Sequence, residues 1–161
     1  MKTLILYDSK TGFTKGCAEQ IHKMIEDSYI CEINGIEYNI KDFDTILIGA
    51  PIYGGKIKKN VLKFFRNNKM KLLGKKLGIF CAGINKEEFN KAVQNSIPPE
   101  IFYKAQIIHC GGKITYPQLS FIEKMTVKRK FGVTQSTHVE NKDELLEFIQ
   151  WVNSDSKEKK R

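Results

Sequence analysis

The sequence predicts an α/β domain whose parallel sheet is covered by helices on both faces. Short apolar runs alternate with segments of helical period along the chain, and we find no internal repeat and no low-complexity linker. The length of 161 residues falls within the roughly 100–200 residues expected of one domain. These observations favour a single core built on five strands that are joined by right-handed crossovers.

The first strand and the first helix carry the strongest patterns. Residues 3–7 (TLILY) form an apolar run that is too short for a helix, which predicts a buried parallel strand. Apolar or small residues then recur at the spacing of one helix face. That face comprises Thr14, Cys17, Ala18, Ile21, Met24 and Ile25.

The same alternation continues along the chain. Apolar runs predict further strands over residues 29–33, 45–50, 77–82 and 106–110, and a third helix is expected over 87–95. Apolar residues at helical spacing predict the second helix, from Ile57, Val61, Leu62 and Phe65, and the closing helix, from Leu145, Phe148, Ile149 and Val152.

The domain is expected to span residues 1–153, and the polar tail 154–161 is expected to fray. The connection between the fifth strand and the closing helix is longer than the usual two to six residues. We therefore predict an insert at about 113–131. His109, which lies inside the fifth predicted strand, is expected at the edge of the core.

The composition excludes several classes of protein. With 41% hydrophobic residues, 28% charged residues and four prolines, the chain is neither disordered nor collagen-like. The mean hydropathy of −0.37 is that of a water-soluble protein. The sequence has no apolar run near the ~18 residues of a membrane span, and its first residues lack the apolar region of a signal peptide. We therefore expect a cytoplasmic protein.

The four cysteines predict free thiols rather than a metal site. They are widely spaced, form no CxxC motif and lie in or beside apolar segments, where buried free thiols are common. They are Cys17, Cys31, Cys81 and Cys110. We expect no bound metal.

The net charge of +9 is concentrated in two segments. Residues 56–76 hold nine basic residues and no acidic one, and residues 113–131 hold five basic residues against Glu123 alone. This distribution indicates an anionic partner: a membrane surface, an anionic small molecule or a nucleic acid. A nucleic acid is disfavoured because the sequence lacks aromatic interleaving and any known binding motif. The alternative is a lysine-rich face that only meets water.

A hydroxyl-rich loop lies between the first strand and the first helix. Such a loop directs backbone N–H groups and the positive end of the helix dipole at one point, so it can hold a phosphate. The alternative is an ordinary helix cap, for which one hydroxyl suffices. The loop consists of Ser9, Lys10, Thr11, Gly12, Phe13 and Thr14.

Two further loops follow the third and fourth strands, where open parallel sheets bind their ligands. The first contains Pro51, Ile52, Tyr53, Gly54 and Gly55, and the second contains Ala82, Gly83, Ile84 and Asn85. The Tyr53 ring can stack on a flat aromatic ligand, and the two glycines allow close backbone approach. The alternative for the glycines is a turn or a helix cap.

The loop motif narrows the choice of phosphate ligand. Neither GxxxxGK[ST] nor GxGxxG follows the first strand, which disfavours nucleoside triphosphates and dinucleotides. SKTGFT resembles the flavodoxin-like superfamily, whose first loop reads [ST]-x-T-G-x-T and surrounds the phosphate of FMN. The resemblance implies a three-layer sandwich with five parallel strands in the order 2-1-3-4-5. It also implies non-covalent FMN, with its phosphate at residues 9–14 and its ring between the Tyr53 and Gly83 loops.

A narrower resemblance comes from GAPIYGGKI and GGKITYPQLSFIEKMTVKRKFG. These segments look like the quinone-dependent protoporphyrinogen dehydrogenase branch, in which an insert after strand five carries a Tyr-Pro dipeptide and a basic helix. The resemblance implies an oxidoreductase that passes electrons from a porphyrinogen to a quinone. Two alternatives stay open: a soluble electron carrier or small flavin reductase, and a non-catalytic flavin-binding module. The net positive charge disfavours a carrier, since carrier flavodoxins are typically acidic.

The insert is a candidate for peripheral contact with the inner membrane surface. It pairs apolar side chains with adjacent cations, which is what an interfacial helix requires. The apolar residues are Leu119, Phe121, Ile122 and Met125, and the cations are Lys124, Lys128, Arg129 and Lys130. The alternative is that the apolar residues pack on the domain. The sequence does not determine the oligomeric state.

Overall fold

The described part of the chain contains seven strands, six α-helices and two short 3-10 helices, Ile33–Gly35 and Ile40–Asp42. The computed structural model describes residues 1–114, 120–131, 135 and 137–158. The strands are β1 Thr3–Tyr7, β2 Ser28–Glu32, β3 Thr45–Tyr53, β4 Lys56–Ile57, β5 Lys76–Ala82, β6 Gln106–Ile114 and β7 Thr137–Glu140. The helices are α1 Phe13–Met24, α2 Lys59–Leu73, α3 Lys86–Ser96, α4 Pro99–Lys104, α5 Phe121–Phe131 and α6 Lys142–Glu158.

The predicted parallel sheet is confirmed. The strands run β2-β1-β3-β5-β6-β7, and the first five of these pair in parallel. Numbered by the sequence prediction, this is the order 2-1-3-4-5. Two antiparallel strands were not predicted: β4 pairs with the end of β3, and β7 pairs with the end of β6. Both are short, and neither has an apolar run that marks a strand.

The helices follow the predictions with one correction and one addition. Ile57 was expected in the second helix, but it lies in β4, and α2 begins at Lys59, because Ile57 pairs with Ile52 of β3. The short helix α4 was not predicted, because its six residues contain too few turns to show a period. The insert contains α5, as expected. The closing helix α6 extends to Glu158, into the segment that was expected to form a frayed tail.

Two hydrophobic clusters cover the two faces of the sheet, which gives three layers. Alternate residues of each central strand enter opposite clusters, as in a parallel sheet that is buried on both faces. Leu4 and Ile46 belong to the cluster with α2, α3 and α4. Ile5 and Leu47 belong to the cluster with α1 and α6. The site loops therefore stand on a sheet that is packed from both sides.

Two glycines make room for aromatic rings on the α1 and α6 face. A Cβ on Gly78 would lie 2.6 Å from Phe148 Cζ and 2.7 Å from Leu47 Cδ2. A Cβ on Gly49 would collide with the Phe80 ring. The Phe80 and Phe148 ring centroids are 6.2 Å apart. The two rings thus fill space that only glycine leaves open.

Gly78→Ala should lower the free energy of unfolding by ~1–3 kcal/mol, because the added methyl overpacks a closed core. Gly16→Ala is the matched control, since a Cβ at this α1 position meets nothing within 4 Å. It should stabilise the protein by ~0.5–1 kcal/mol through helix propensity. Urea unfolding monitored by circular dichroism measures both. Equal midpoints for Gly78→Ala and the wild type would contradict this account of the core.

Candidate functional site

Three loops meet at one edge of the sheet, beyond the carboxyl ends of β1, β3 and β5. These strands are neighbours, with Tyr7 beside Gly49 and Pro51 beside Ala82. The Lys10 ammonium lies 4.8 Å from the centroid of the Tyr53 ring, so the first two loops are in contact. The structure therefore brings together the three segments that the sequence singled out.

The first loop ends in a left-handed glycine. Gly12 has φ +88° and is the N-cap residue of α1, where it has no side chain that could cap the helix. The Gly12 N–H donates to Ser9 Oγ at 3.0 Å, and the Phe13 N–H is 3.4 Å from Thr11 Oγ1. The first N–H groups of a helix have no partner within it, and they carry partial positive charge. This arrangement suits an anion such as a phosphate.

Thr14 ties the first loop to the sheet. Its residue is 2% exposed. A Cβ on Gly49 would lie 2.9 Å from Thr14 Cγ2, so the threonine methyl packs on bare β3 backbone. The start of α1 is thereby fixed relative to the strand ends.

An ion pair that sequence reasoning missed lies directly behind the first loop. Lys58 Nζ is 3.0 Å from Asp8 Oδ2, and the Asp8 side chain is 9% exposed. Among the described residues Oδ2 has no hydrogen-bond partner, and the Lys58 ammonium is the charge that faces it. Fifty positions separate the two residues in the sequence, and nothing in their local pattern links them.

The second loop is a tight hairpin between β3 and β4. Gly54 and Gly55 have φ +57° and +71°, which is what the two central residues of a type I′ turn require. The turn alternative for these glycines therefore holds, whether or not they also contact a ligand. Tyr53 is 44% exposed. Pro51 and Ile52 lie inside β3 with buried side chains, so they can offer a ligand only backbone atoms.

The third loop is held by neighbours on β6. The Gly83 N–H donates to the Gly111 carbonyl at 2.7 Å, and the Gly83 carbonyl accepts from His109 Nε2. A Cβ on Gly112 would lie 2.5 Å from the Gly83 carbonyl carbon. Asn85 Oδ1 accepts from the Glu87 N–H at 2.7 Å and so caps α3. The loop is thus rigidly placed.

Ala82 and Ile84 flank Gly83. Ala82 lies at the end of β5 with a buried side chain, whereas Ile84 is half-buried. Gly83 itself faces Ile52, because a Cβ on Gly83 would lie 3.5 Å from Ile52 Cβ. The second and third loops are therefore also in contact.

His109 supports the third loop from the core. It is 2% exposed and stacks on Phe89 with ring centroids 5.0 Å apart. Its Nε2 hydrogen bonds the Gly83 carbonyl, and Asn141 Nδ2 lies 3.2 Å from its Nδ1. Because a carbonyl oxygen only accepts, His109 Nε2 carries the hydrogen of this bond. The structure confirms that His109 belongs to the core. Its hydrogen bond to Gly83 could not be predicted, because the sequence around His109 does not indicate a partner 26 positions away.

The described side chains of α5 present a mixed face to solvent. Phe121, Ile122 and Met125 are 77%, 75% and 47% exposed, so these three do not pack on the domain. Lys128 and Arg129 are also exposed. Ile122, Met125, Lys128 and Arg129 follow Phe121 by one, four, seven and eight positions. At 3.6 residues per turn, these spacings place all five residues on one side of the helix. Tyr116, Pro117 and Leu119 lie outside the described residues, as does the Lys130 side chain.

The described residues contain no group of three or more histidine, cysteine, aspartate or glutamate side chains that could hold a metal ion. Within the same part of the chain, no helix is both long enough and apolar enough to cross a membrane.

The doubly wound parallel sheet, with a hydroxyl-rich loop between its first strand and first helix, defines a flavodoxin-like α/β protein. The family described as Flavodoxin domain matches residues 4–140. The chain belongs to this family. A search of curated proteins found no significant match.

Solved structures with the same fold include two bacterial proteins. A flavoprotein from Lactobacillus acidophilus NCFM, crystallised in complex with FMN, has a TM-score of 0.52 and 20% identity, covering 80% of this chain and 97% of its own. A flavodoxin from Streptococcus pneumoniae TIGR4 has a TM-score of 0.53 and 21% identity, covering 69% of this chain and 83% of its own. At these identities the likeness shows the fold alone.

Lys58→Met should lower the free energy of unfolding at neutral pH by ~1–3 kcal/mol, because it leaves the Asp8 carboxylate buried without its cation. Lys56→Met is the control, since Lys56 is exposed nearby and the net charge changes equally. It should cost less than ~0.5 kcal/mol. Adding Asp8→Asn to Lys58→Met should recover part of the loss in urea unfolding. Equal effects of the two lysine variants would rule out a specific Asp8–Lys58 interaction.

Proposed function

We propose that the protein is an FMN-dependent oxidoreductase that works at an anionic membrane surface and passes electrons from a small organic substrate to a quinone. The observation that carries this proposal is the exposed face of α5, where three large apolar side chains lie beside Lys128 and Arg129. The family membership supports a flavin redox protein. The resemblance of the insert to the protoporphyrinogen dehydrogenase branch supports the substrate class.

The three loops fit FMN. Ser9, Thr11 and the first N–H groups of α1 supply donors for a phosphate, and the exposed Tyr53 ring can stack on the isoalloxazine. Both polar backbone groups of Gly83 are bonded within the protein, so this glycine can only allow the ring to approach the backbone closely. The FMN complex of the Lactobacillus flavoprotein supports this choice of cofactor. When bound, FMN supplies the redox chemistry, and the protein supplies position and electrostatics.

Positive charge around the loops favours an anionic substrate. Lys10 lies over Tyr53, and Lys56 is exposed on the hairpin beside it. The chain carries a net charge of +9. Propionate groups of a porphyrinogen are carboxylates of the kind that such cations attract. A soluble carrier that docks on basic partners would meet them with the wrong sign.

The α5 face suits a membrane because it offers both forces that an interfacial helix uses. Phe121 and Ile122 would leave water for the acyl boundary. Lys128 and Arg129, one to two turns further along the same side, would meet lipid phosphates, each contributing up to ~1 kcal/mol. The helix follows β6, whose residues Gly111 and Gly112 support the Gly83 loop. Contact through α5 would therefore bring the flavin site to the surface where quinones reside.

FMN binding can be tested on the loop hydroxyls. Thr11→Val with Thr14→Val keeps the side-chain shape and removes both hydroxyls. If both bond the phosphate, affinity should fall by ~3–6 kcal/mol, that is ~100-fold or more. Flavin fluorescence quenching on titration of the apoprotein measures it. Asn60→Ala, on α2 outside the loops, is the control. Unchanged affinity in the double variant would show that neither threonine hydroxyl bonds the phosphate.

Membrane contact can be tested on α5. Phe121→Ser with Ile122→Ser, and separately Lys128→Gln with Arg129→Gln, should each weaken binding to phosphatidylglycerol vesicles roughly tenfold or more, with FMN content unchanged. Met70→Ser with Tyr103→Ser is the matched control, because these apolar side chains are 80% and 84% exposed on α2 and α4. Vesicle co-sedimentation at two salt concentrations is the measurement. An equal loss in the control pair, or equal binding to phosphatidylcholine, would refute the membrane proposal.

The electron acceptor is a separate question. We expect flavin that has been reduced anaerobically to be reoxidised by a quinone in anionic vesicles, and more slowly in the α5 variants. Rapid reoxidation by a redox protein but not by a quinone would instead establish a soluble carrier. No turnover with either class would favour a non-catalytic flavin-binding module.

A further inference from the structure

Two thiols meet between α1 and β6, next to the first loop. Cys17 lies on α1 and Cys110 on β6, and both residues are buried, at 5% and 3% exposed. Both line one cavity. The interaction of the two side chains lowers the pKa of Cys17 and, together with burial, raises the pKa of Cys110. Cys110 Sγ also lies 3.2 Å from the Cys81 carbonyl, to which it can donate. Because the Cys110 thiol donates to the Cys81 carbonyl, Cys110 keeps its proton, and Cys17 is the sulfur of the pair that takes thiolate character.

A cavity of about 250 Å³ gives access to this pair. Cys17 and Cys110 both line this cavity. Its other lining residues include Gly12, Gly16 and Gln20, at the start of α1 or within it, and Glu140 of β7. Gly16 precedes Cys17 and has no side chain to close the cavity. The volume admits a small oxidant, although it is smaller than the ~300–1,000 Å³ of a site for a drug-sized ligand.

We propose that Cys17 and Cys110 form a redox-active dithiol, which a small hydroperoxide oxidises to a disulfide that joins α1 to β6. The Cys17 thiolate attacks the terminal peroxide oxygen, the O–O bond breaks, and the leaving oxygen departs as water or an alcohol after taking a proton. The resulting sulfenic acid is attacked by Cys110 sulfur, and its oxygen leaves as water. In sum, two thiols lose two electrons and two protons, and one hydroperoxide is reduced.

The other two cysteines lack this arrangement. Burial raises the pKa of Cys81 to about 12, so its thiol stays protonated. Burial also raises the pKa of Cys31, which lies on the edge strand β2, away from the cavity. Thiolate character and access together decide which thiol is oxidised. The proposal does not depend on the proposed function, because it needs no flavin.

Peptide mapping of the full chain tests the proposal directly. Each of the four cysteines lies in its own tryptic peptide, with Cys17 in residues 16–23 and Cys110 in residues 105–113. After stoichiometric hydrogen peroxide, the intact protein should lose two hydrogens, about 2 Da, and regain them with a dithiol reductant. The digest should contain a disulfide between these two peptides. Cys31→Ser, the control, should react like the wild type.

The single variants separate the two roles. Cys110→Ser should stop at a Cys17 sulfenic acid that dimedone labels, whereas Cys17→Ser should form neither the disulfide nor the adduct at Cys110. Circular dichroism checks that each variant is folded. The peptide map of the wild-type protein tests the disulfide even if a variant fails to fold. A disulfide through Cys31 or Cys81, a dimedone adduct first on Cys31, or no mass change at equimolar peroxide would overturn the proposal.

Discussion

The contact among Gly49, Phe80 and Thr14 is the constraint on which the site depends. Gly49 leaves bare backbone in the middle of β3, the Phe80 ring from β5 occupies that space, and the Thr14 methyl packs beside it. Because Thr14 is in the first turn of α1, a contact inside the core sets where the helix starts. The hydroxyl-rich loop between β1 and that helix then has its ends fixed. Core packing, rather than the loop itself, determines where an anion would be held.

The third loop and the insert depend on the edge of the same sheet. β6 carries His109, Gly111 and Gly112, which hold Gly83 by hydrogen bonds and close approach. β7 returns along β6, and its His138 ring contacts Phe13 of the first loop edge to face at 5.5 Å. β7 is thus held by both the sheet and the first loop, while Phe121, Ile122 and Met125 of α5 are exposed to solvent. The sheet edge therefore gives the third loop its rigidity.

Much of the fold could be predicted because the central strands are buried on both faces. Continuous apolar runs such as residues 3–7 and 45–50 are too short for helices and are typical of strands that are buried on both faces. The strands β4 and β7 were not predicted, because each is short and has no apolar pattern of its own. Each is extended because it pairs with a neighbouring strand. For the site, the loops were found from their position after strands. The Asp8–Lys58 ion pair and the hydrogen bond from His109 to Gly83 were not predicted, because each joins residues that are far apart in the sequence.

The sequence by itself determined the alternation of strands and helices, the hydroxyl-rich loop after the first strand, and the concentration of positive charge in two segments. These are local properties, because periodicity, turn chemistry and charge are carried by neighbouring residues. Only the tertiary structure decided that Phe121 and Ile122 face solvent, that Gly54 and Gly55 form a hairpin turn, and that Cys17 meets Cys110. Exposure and long-range contact depend on how elements pack, and identical local patterns are compatible with either outcome.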